Sequence, residues 1–209
     1  MRVSKSLIVN VAVLLAIGAS CSIASAQVTV GAGTTFVGNI DGSSVAVTQL
    51  ATGGCTKKVI QTGSWQGDRT VTASSSADTL FAFTWTASHC GFTLEPINTN
   101  GWRLNLVGGG GNDRIESYVR NVVPKGGSGA DTIAQWEGSA FGGTGNDAMW
   151  ADARDQLFGE DGDDQFFIIN NESARSVDGG AGRDALCGNT DDPLVSIERV
   201  IIPIGHDGC

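Results

Sequence analysis

The nine residues GGTGNDAMW, 142–150, place three glycines and one aspartate within six positions and follow them with apolar side chains. A single copy would mean little, because glycine, asparagine and aspartate are common in any tight turn. The pattern recurs, however, as GGGGNDRIE from Gly108, GGSGADTIA from Gly126, GEDGDDQFF from Gly159 and GGAGRDALC from Gly179. Successive copies start 18, 16, 17 and 20 residues apart. This spacing predicts a structural repeat of two nine-residue halves.

Each copy carries an aspartate at its sixth position and an apolar residue at its eighth. The aspartates are Asp113, Asp131, Asp147, Asp164 and Asp184, and the apolar residues are Ile115, Ile133, Met149, Phe166 and Leu186. Two residues before the copies stand Leu106, Pro124, Ala140, Leu157 and Val177. Because side chains alternate along a strand, both apolar sets are expected to point inward. The repeat therefore predicts loop, short strand, loop, short strand in each turn, with the glycine motifs stacked along one edge.

The motif resembles the calcium-binding nonapeptide of the hemolysin-type (RTX) repeat family, G-G-x-G-x-D-x-U-x, where U is a large apolar residue. Four copies match it completely, and the copy at Gly159 has Glu160 in place of the second glycine. The resemblance implies an all-β fold, a parallel β-roll or β-solenoid of about five turns, and Ca²⁺ as its cofactor. It assigns metal binding to the five aspartates above and to Gly108, Gly110, Gly126, Gly142, Gly159 and Gly179.

Physical chemistry points to the same metal. Aspartates on adjacent turns would lie about 5 Å apart and repel one another. About ten inward side chains also make a thin core for the backbone that must be ordered. Calcium compensates both effects, since it accepts six to eight oxygen ligands at flexible angles. Zinc fits poorly, because the chain has only two histidines, His89 and His206, and no cysteine pair at zinc spacing. The alternative, a disordered Gly/Asp linker, has no need of a period.

The N-terminus reads as a secretory signal peptide, residues 1–26. Arg2 and Lys5 precede the apolar run 7–17, and Ala24-Ser25-Ala26 offers a cleavage pattern. The run is too short to span a bilayer, which disfavours the alternative of a membrane anchor. An exported protein, secreted or periplasmic, favours disulfides. Four cysteines remain after cleavage and allow three pairings, of which we favour the local one: Cys55 with Cys90 and Cys187 with Cys209.

Charge divides the mature chain into two parts. Residues 27–106 carry four acidic and four basic side chains, whereas 107–209 carry 18 acidic and seven basic ones. We therefore expect a small N-terminal β-domain or solenoid cap (27–106), the calcium-binding repeats (107–190) and a C-terminal capping strand (191–209). That strand is expected over 195–204. No basic surface for nucleic acid or anionic lipid is indicated.

Most sequence motifs of hydrolases are missing, and we expect that the protein is not an enzyme. Neither HExxH nor GxSxG occurs. Residues 85–90, WTASHC, are similar to the segment around the catalytic histidine of trypsin-like proteases, but GDSGG is missing and the candidate nucleophile Ser128 belongs to a repeat loop. A carbohydrate-binding or adhesive module, with a glycan or cell-envelope partner, is the better alternative. Its candidate stacking residues are Trp65, Trp102, Trp136 and Trp150.

Overall fold

A computed structural model describes residues 26–151, 155–168, 176–188 and 194–201, and all regular secondary structure in those ranges is β. The strands are β1 (Ala26–Thr29), β2 (Gly33–Ile40), β3 (Ser43–Leu50), β4 (Cys55–Thr62), β5 (Arg69–Thr72), β6 (Thr79–Ala82), β7 (Ala87–His89), β8 (Phe92–Leu94), β9 (Leu104–Gly110), β10 (Arg114–Ser117), β11 (Val122–Ser128), β12 (Thr132–Gln135), β13 (Ser139–Thr144), β14 (Ala148–Ala151), β15 (Gln156–Asp161), β16 (Gln165–Ile168), β17 (Ser176–Asp178), β18 (Ala185–Cys187), β19 (Leu194–Val195) and β20 (Arg199–Ile201). Within these ranges no helix is long and apolar enough to cross a membrane.

Two sheets, parallel throughout except at β3 and β4, face each other across the core. Sheet A has the order β1-β5-β9-β11-β13-β15-β17-β19, and sheet B has the order β20-β18-β16-β14-β12-β10-β6-β2-β3-β4. From β9 onward the chain alternates between the sheets, and each strand pairs with the strand one turn away. This architecture confirms the predicted all-β solenoid of about five turns.

The N-terminal region is continuous with the solenoid. Strands β5 and β6 pair in parallel with β9 and β10, and β1 and β2 pair in the same way with β5 and β6. Strands β3 and β4 then extend sheet B in antiparallel fashion, and β7 and β8 form a separate hairpin. Residues 26–106 therefore supply the first strands of both sheets, and no break in the sheets falls at residue 106.

Both predicted sets of inward residues are buried. The eighth-position residues and their counterparts two residues before each motif are inaccessible to solvent or nearly so. They belong to two clusters, one that contains Leu106 and Ile115 and another that contains Ile133, Ala140, Met149 and Leu157. A third cluster around Phe83 and Leu94 packs under the N-terminal hairpin. Alternating apolar residues therefore place the core between the sheets, as the pattern predicted.

One predicted disulfide is confirmed, between Cys55 at the start of β4 and Cys90 in the β7–β8 turn, with their Cα atoms 6.0 Å apart. The other predicted pair includes Cys209, which lies outside the described residues, as does most of the signal peptide. The C-terminal segment differs from the single strand expected over 195–204. Strands β19 and β20 join different sheets, because residues 196–198 turn the chain and add a further rung to the solenoid.

Candidate metal centre

The glycine motifs form the turns along one edge of the solenoid, between a sheet A strand and the next sheet B strand. Their second positions stack in register, so that Gly127 lies opposite both Gly109 and Gly143. These glycines have φ values of 105° to 116°, and a Cβ on Gly143 would lie 2.1 Å from the carbonyl oxygen of Gly127. Glycine is therefore favoured here by both backbone conformation and close approach. Glu160 is the exception and holds φ at 75° without breaking the register.

The sixth-position residues Asp113, Asp131, Asp147, Asp164 and Asp184 form a continuous series, called here the aspartate ladder. Each carboxylate accepts a hydrogen bond from the backbone amide of the aspartate one turn earlier. The Asp113 amide donates to Oδ1 of Asp131 at 2.7 Å, and the Asp131 amide donates to Oδ1 of Asp147 at 2.7 Å. The same bond links Asp147 to Asp164 and Asp164 to Asp184, each at 2.8 Å. One oxygen of every carboxylate thus fixes the spacing of two turns.

The second oxygen of each ladder carboxylate has no hydrogen-bond donor. All five Oδ2 atoms are buried and lack a hydrogen-bond partner. Solvent does not supply one, because the aspartates are at most 2 % exposed. Buried polar atoms are nearly always paired in native proteins, and an unpaired one costs about 1 to 3 kcal/mol, or more for a charge. Five such atoms in one row therefore require an explanation.

The unpaired oxygens face a second set of oxygens across the first glycine of each motif. A Cβ built on Gly126 would lie 2.2 Å from Oδ2 of Asp131 and 2.4 Å from the carbonyl oxygen of Gly142. The same two kinds of oxygen surround Gly108, Gly142 and Gly159, and at Gly179 the carbonyl belongs to Ser196. We call each such pair of oxygens a cradle. Because the first residue lacks a side chain, one carboxylate oxygen and one carbonyl oxygen of the next turn converge there.

Burial also changes the acidity of the ladder. Loss of solvent raises the pKa of Asp113 and of Asp147 to about 7, and that of Asp164 to about 6. The pKa values of Asp131 and Asp184 are raised for the same reason. The backbone hydrogen bond to each carboxylate opposes this effect, and neighbouring acidic groups add to it at Asp113, Asp147, Asp164 and Asp184. The stacked carboxylates are thus costly to ionise in the absence of a cation.

The ladder extends beyond the five motifs at both ends, which the sequence analysis missed. The Asp78 amide donates to Oδ1 of Asp113 at 2.7 Å, and the Asp184 amide donates to Oε2 of Glu198 at 2.6 Å. A weak signal exists for both residues. Asp78 precedes the inward Leu80 by two positions, and Glu198 likewise precedes Val200, which pairs with Leu186. Both segments lack the glycines that made the other copies visible.

Asp78 differs from the ladder in one respect. Its Oδ2 accepts hydrogen bonds from the Ser74 amide at 2.8 Å and from the Ser74 hydroxyl at 2.6 Å. Ser74 stands at the second position of this turn, where most of the motifs have glycine. A side-chain hydroxyl therefore satisfies the oxygen that remains unpaired in the five glycine motifs.

Other candidate residues lie elsewhere. Gly110 lies on the outer part of its loop, where an added Cβ would first meet Ser128 Oγ at 3.4 Å. The His89 ring packs on Phe36, and its Nε2 lies 3.3 Å from the Thr34 carbonyl oxygen. Among the described residues no group of three or more His, Cys, Asp or Glu side chains converges to hold a metal. Any cation at this edge would therefore depend on backbone carbonyls as well as carboxylates.

Comparison with known proteins gives no relative. No family model matches the chain, and neither the curated proteins nor the solved structures contain a match.

Proposed function

We propose that this chain is an exported, non-enzymatic structural module whose solenoid is stabilised by calcium, in the manner of the RTX repeats that its motifs resemble. The observation that carries the proposal is the row of five buried Oδ2 atoms without a hydrogen-bond donor, each beside a carbonyl oxygen of the following turn. Two acceptors that face each other without a hydrogen between them are unfavourable unless a cation lies between them or the acid is protonated.

The donor set fits calcium. The cradles offer carboxylate oxygens from the ladder and carbonyl oxygens from Gly126, Gly142, Gly159, Gly179 and Ser196. Calcium prefers such oxygens at flexible angles, whereas zinc prefers nitrogen and sulfur in tetrahedral sites. A bound calcium ion would supply charge that neutralises neighbouring carboxylates. The residues of this chain would hold the turns in register and exclude water from the oxygens.

The Asp78 turn supports the same interpretation from within the molecule. There the motif glycines are replaced by Ala73, Ser74 and Ser76, and the Ser74 amide and hydroxyl supply the hydrogen bonds that Oδ2 needs. A turn of this kind is complete without a metal. The five glycine motifs lack this side chain, so their carboxylates retain an acceptor for a cation. We infer that the N-terminal end of the solenoid folds without calcium and acts as a template for the calcium-dependent turns.

Export is supported by the leader-like sequence 1–26 and by the disulfide between Cys55 and Cys90, since disulfides persist mainly in oxidising compartments. A non-enzymatic role is supported by the contacts of His89, whose ring packs against Phe36 in the N-terminal region. Ser128, the candidate nucleophile, instead places its hydroxyl near the Gly109 carbonyl oxygen at 3.4 Å.

Two adjacent aspartates give a matched test. Asp164 belongs to the ladder and is buried, whereas Asp163 is partly exposed and pairs with Arg183 at 2.8 Å. The Asp164→Asn substitution removes a buried charge. Its new side-chain amide can also donate a hydrogen bond to the Gly179 carbonyl oxygen. We therefore expect this variant to be more stable than the wild type in EDTA and to gain less stability from calcium.

The measurement is thermal unfolding of residues 27–209 by circular dichroism, with calcium and with EDTA, combined with calorimetric calcium titration. Asp163→Asn serves as the control and should respond to calcium like the wild type, because an exposed ion pair contributes little. If calcium leaves the wild-type melting temperature unchanged, or if both variants respond alike, the proposed function is wrong.

A further inference from the structure

A groove opens on the outer face of sheet B. It encloses about 270 Å³, and its walls include Glu116, Tyr118, Ala134, Trp136 and Trp150. Glu116, Ala134 and Trp150 occupy directly paired positions on β10, β12 and β14. Because the Ala134 side chain is a single methyl group, it leaves a gap between two larger neighbours that lie about 10 Å apart, or two strand spacings.

Trp150 forms one wall of this groove and presents a ring face to it. Its other face is covered by Phe167, with the ring centroids 4.7 Å apart and the planes inclined by only 10°. Phe167 lies on the β16 side of Trp150 and Ala134 lies on the β12 side. The uncovered face of the indole is therefore turned toward the gap above Ala134.

Two further aromatic rings close one end of the groove. Tyr118 and Trp136 stack on each other with centroids 4.5 Å apart, and Trp85 packs against the opposite side of Tyr118 at 5.0 Å. These contacts fix the rings before any ligand arrives, so that binding costs little side-chain entropy.

The wall opposite Trp150 is polar and equally fixed. The Glu116 carboxylate accepts hydrogen bonds from Arg114 Nε at 2.6 Å and from the Tyr118 hydroxyl at 2.8 Å. Glu116 itself is 9 % exposed, whereas the Arg114 side chain remains 59 % exposed. The pair carries no net charge, yet it offers acceptor lone pairs and guanidinium donors at the edge of the groove. It suits neutral groups that both donate and accept hydrogen bonds.

We propose that this groove binds one pyranose ring of a neutral glycan. A sugar ring has an apolar face of C–H groups that can lie on the Trp150 indole and a rim of hydroxyls that can bond Glu116 and Arg114. Small-molecule sites combine a few fixed polar groups with aromatic walls in this way. The acidic surface of the chain, with net charge −9, disfavours nucleic acids and anionic polysaccharides. No ladder aspartate lines the groove, and the proposal does not depend on which cation the ladder holds.

The test uses residues 27–209 in calcium and follows tryptophan fluorescence and heat of binding with neutral hexasaccharides of glucose, mannose and N-acetylglucosamine as probes. We expect at least one probe to bind, with Trp150→Ala and Ala134→Leu each weakening it by about tenfold or more, since the first removes the stacking face and the second fills the gap.

Trp102→Ala is the matched control, because Trp102 is 45 % exposed and does not line the groove. It should leave binding unchanged. Circular dichroism of each variant checks that the fold is retained, and Trp150→Phe should restore part of the affinity. The proposal is overturned if none of the three probes binds at millimolar concentration, if Trp102→Ala weakens binding as much as Trp150→Ala, or if only polygalacturonate, added as an anionic comparison, binds.

Discussion

Replacing Gly142 by alanine should destabilise the folded protein through contact with the ladder, and not through backbone strain. Gly142 does not have a left-handed φ, so the backbone itself accepts alanine. The new Cβ would, however, lie 2.3 Å from Oδ2 of Asp147 and 2.7 Å from the Gly159 carbonyl oxygen. Both distances are too short for carbon against oxygen, and the second oxygen belongs to the backbone. The Asp147 side chain must therefore move.

The cost follows from what that movement breaks. Oδ1 of Asp147 accepts the Asp131 amide at 2.7 Å, and a hydrogen bond to a charged group contributes about 1.5 to 3 kcal/mol. Overpacking of a closely packed site adds about 1 to 3 kcal/mol. Alanine also lowers the conformational entropy of the unfolded chain, which offsets this loss by about 0.4 to 1 kcal/mol. We expect a net loss of roughly 2 to 5 kcal/mol in the free energy of unfolding.

Gly110→Ala is the control, because Gly110 also lacks a left-handed φ and an added Cβ would meet nothing closer than 3.4 Å. For a chain of this size 1 kcal/mol shifts the melting temperature by about 2 to 4 °C. Thermal unfolding in calcium should therefore place Gly142→Ala about 4 to 20 °C below Gly110→Ala. Equal melting temperatures would refute the close packing of Asp147 and the following turn against Gly142.

Three further outcomes can be measured. The pKa values of Asp113 and Asp147 are raised to about 7 in the fold, so the calcium-free folded protein binds more protons than the unfolded chain between about pH 4 and pH 7. Its melting temperature should fall as pH rises from 5 to 8, and a rise would contradict the burial of the ladder. Glu160→Gly should stabilise the fold by about 1 kcal/mol, because it relieves the strain of a left-handed φ at a residue with a side chain. Gly143→Ala should destabilise the fold for the converse reason. Denaturant unfolding that ranks the two variants in the reverse order would contradict this. Peptide mapping without reduction should find Cys187 linked to Cys209, and any other partner for Cys187 would refute the local pairing.

The sequence predicted the solenoid because its signals are local. An apolar residue two positions after each aspartate, repeated about every 18 residues, determines which side chains point inward and which edge carries the turns. The five aspartates and the first glycines of their motifs could be identified for the same reason. The contacts that these residues make join equivalent positions of neighbouring copies. A pattern that repeats in the sequence therefore implies a contact that repeats in the structure.

Only the tertiary structure showed that the ladder extends to Asp78 and Glu198 and what lies on the outer faces of the solenoid. Asp78 and Asp113 are adjacent in space but 35 residues apart, because the hairpin and loops between them interrupt the period. No fixed spacing could have linked them. Ser74 acquires its role only once that turn is placed, since its hydroxyl satisfies an oxygen left unpaired in the glycine motifs. The groove above Ala134 likewise depends on side-chain sizes across three strands joined by loops of unequal length. The local repeat thus determined the fold, whereas contacts between turns of unequal length determined its ends and its outer surface.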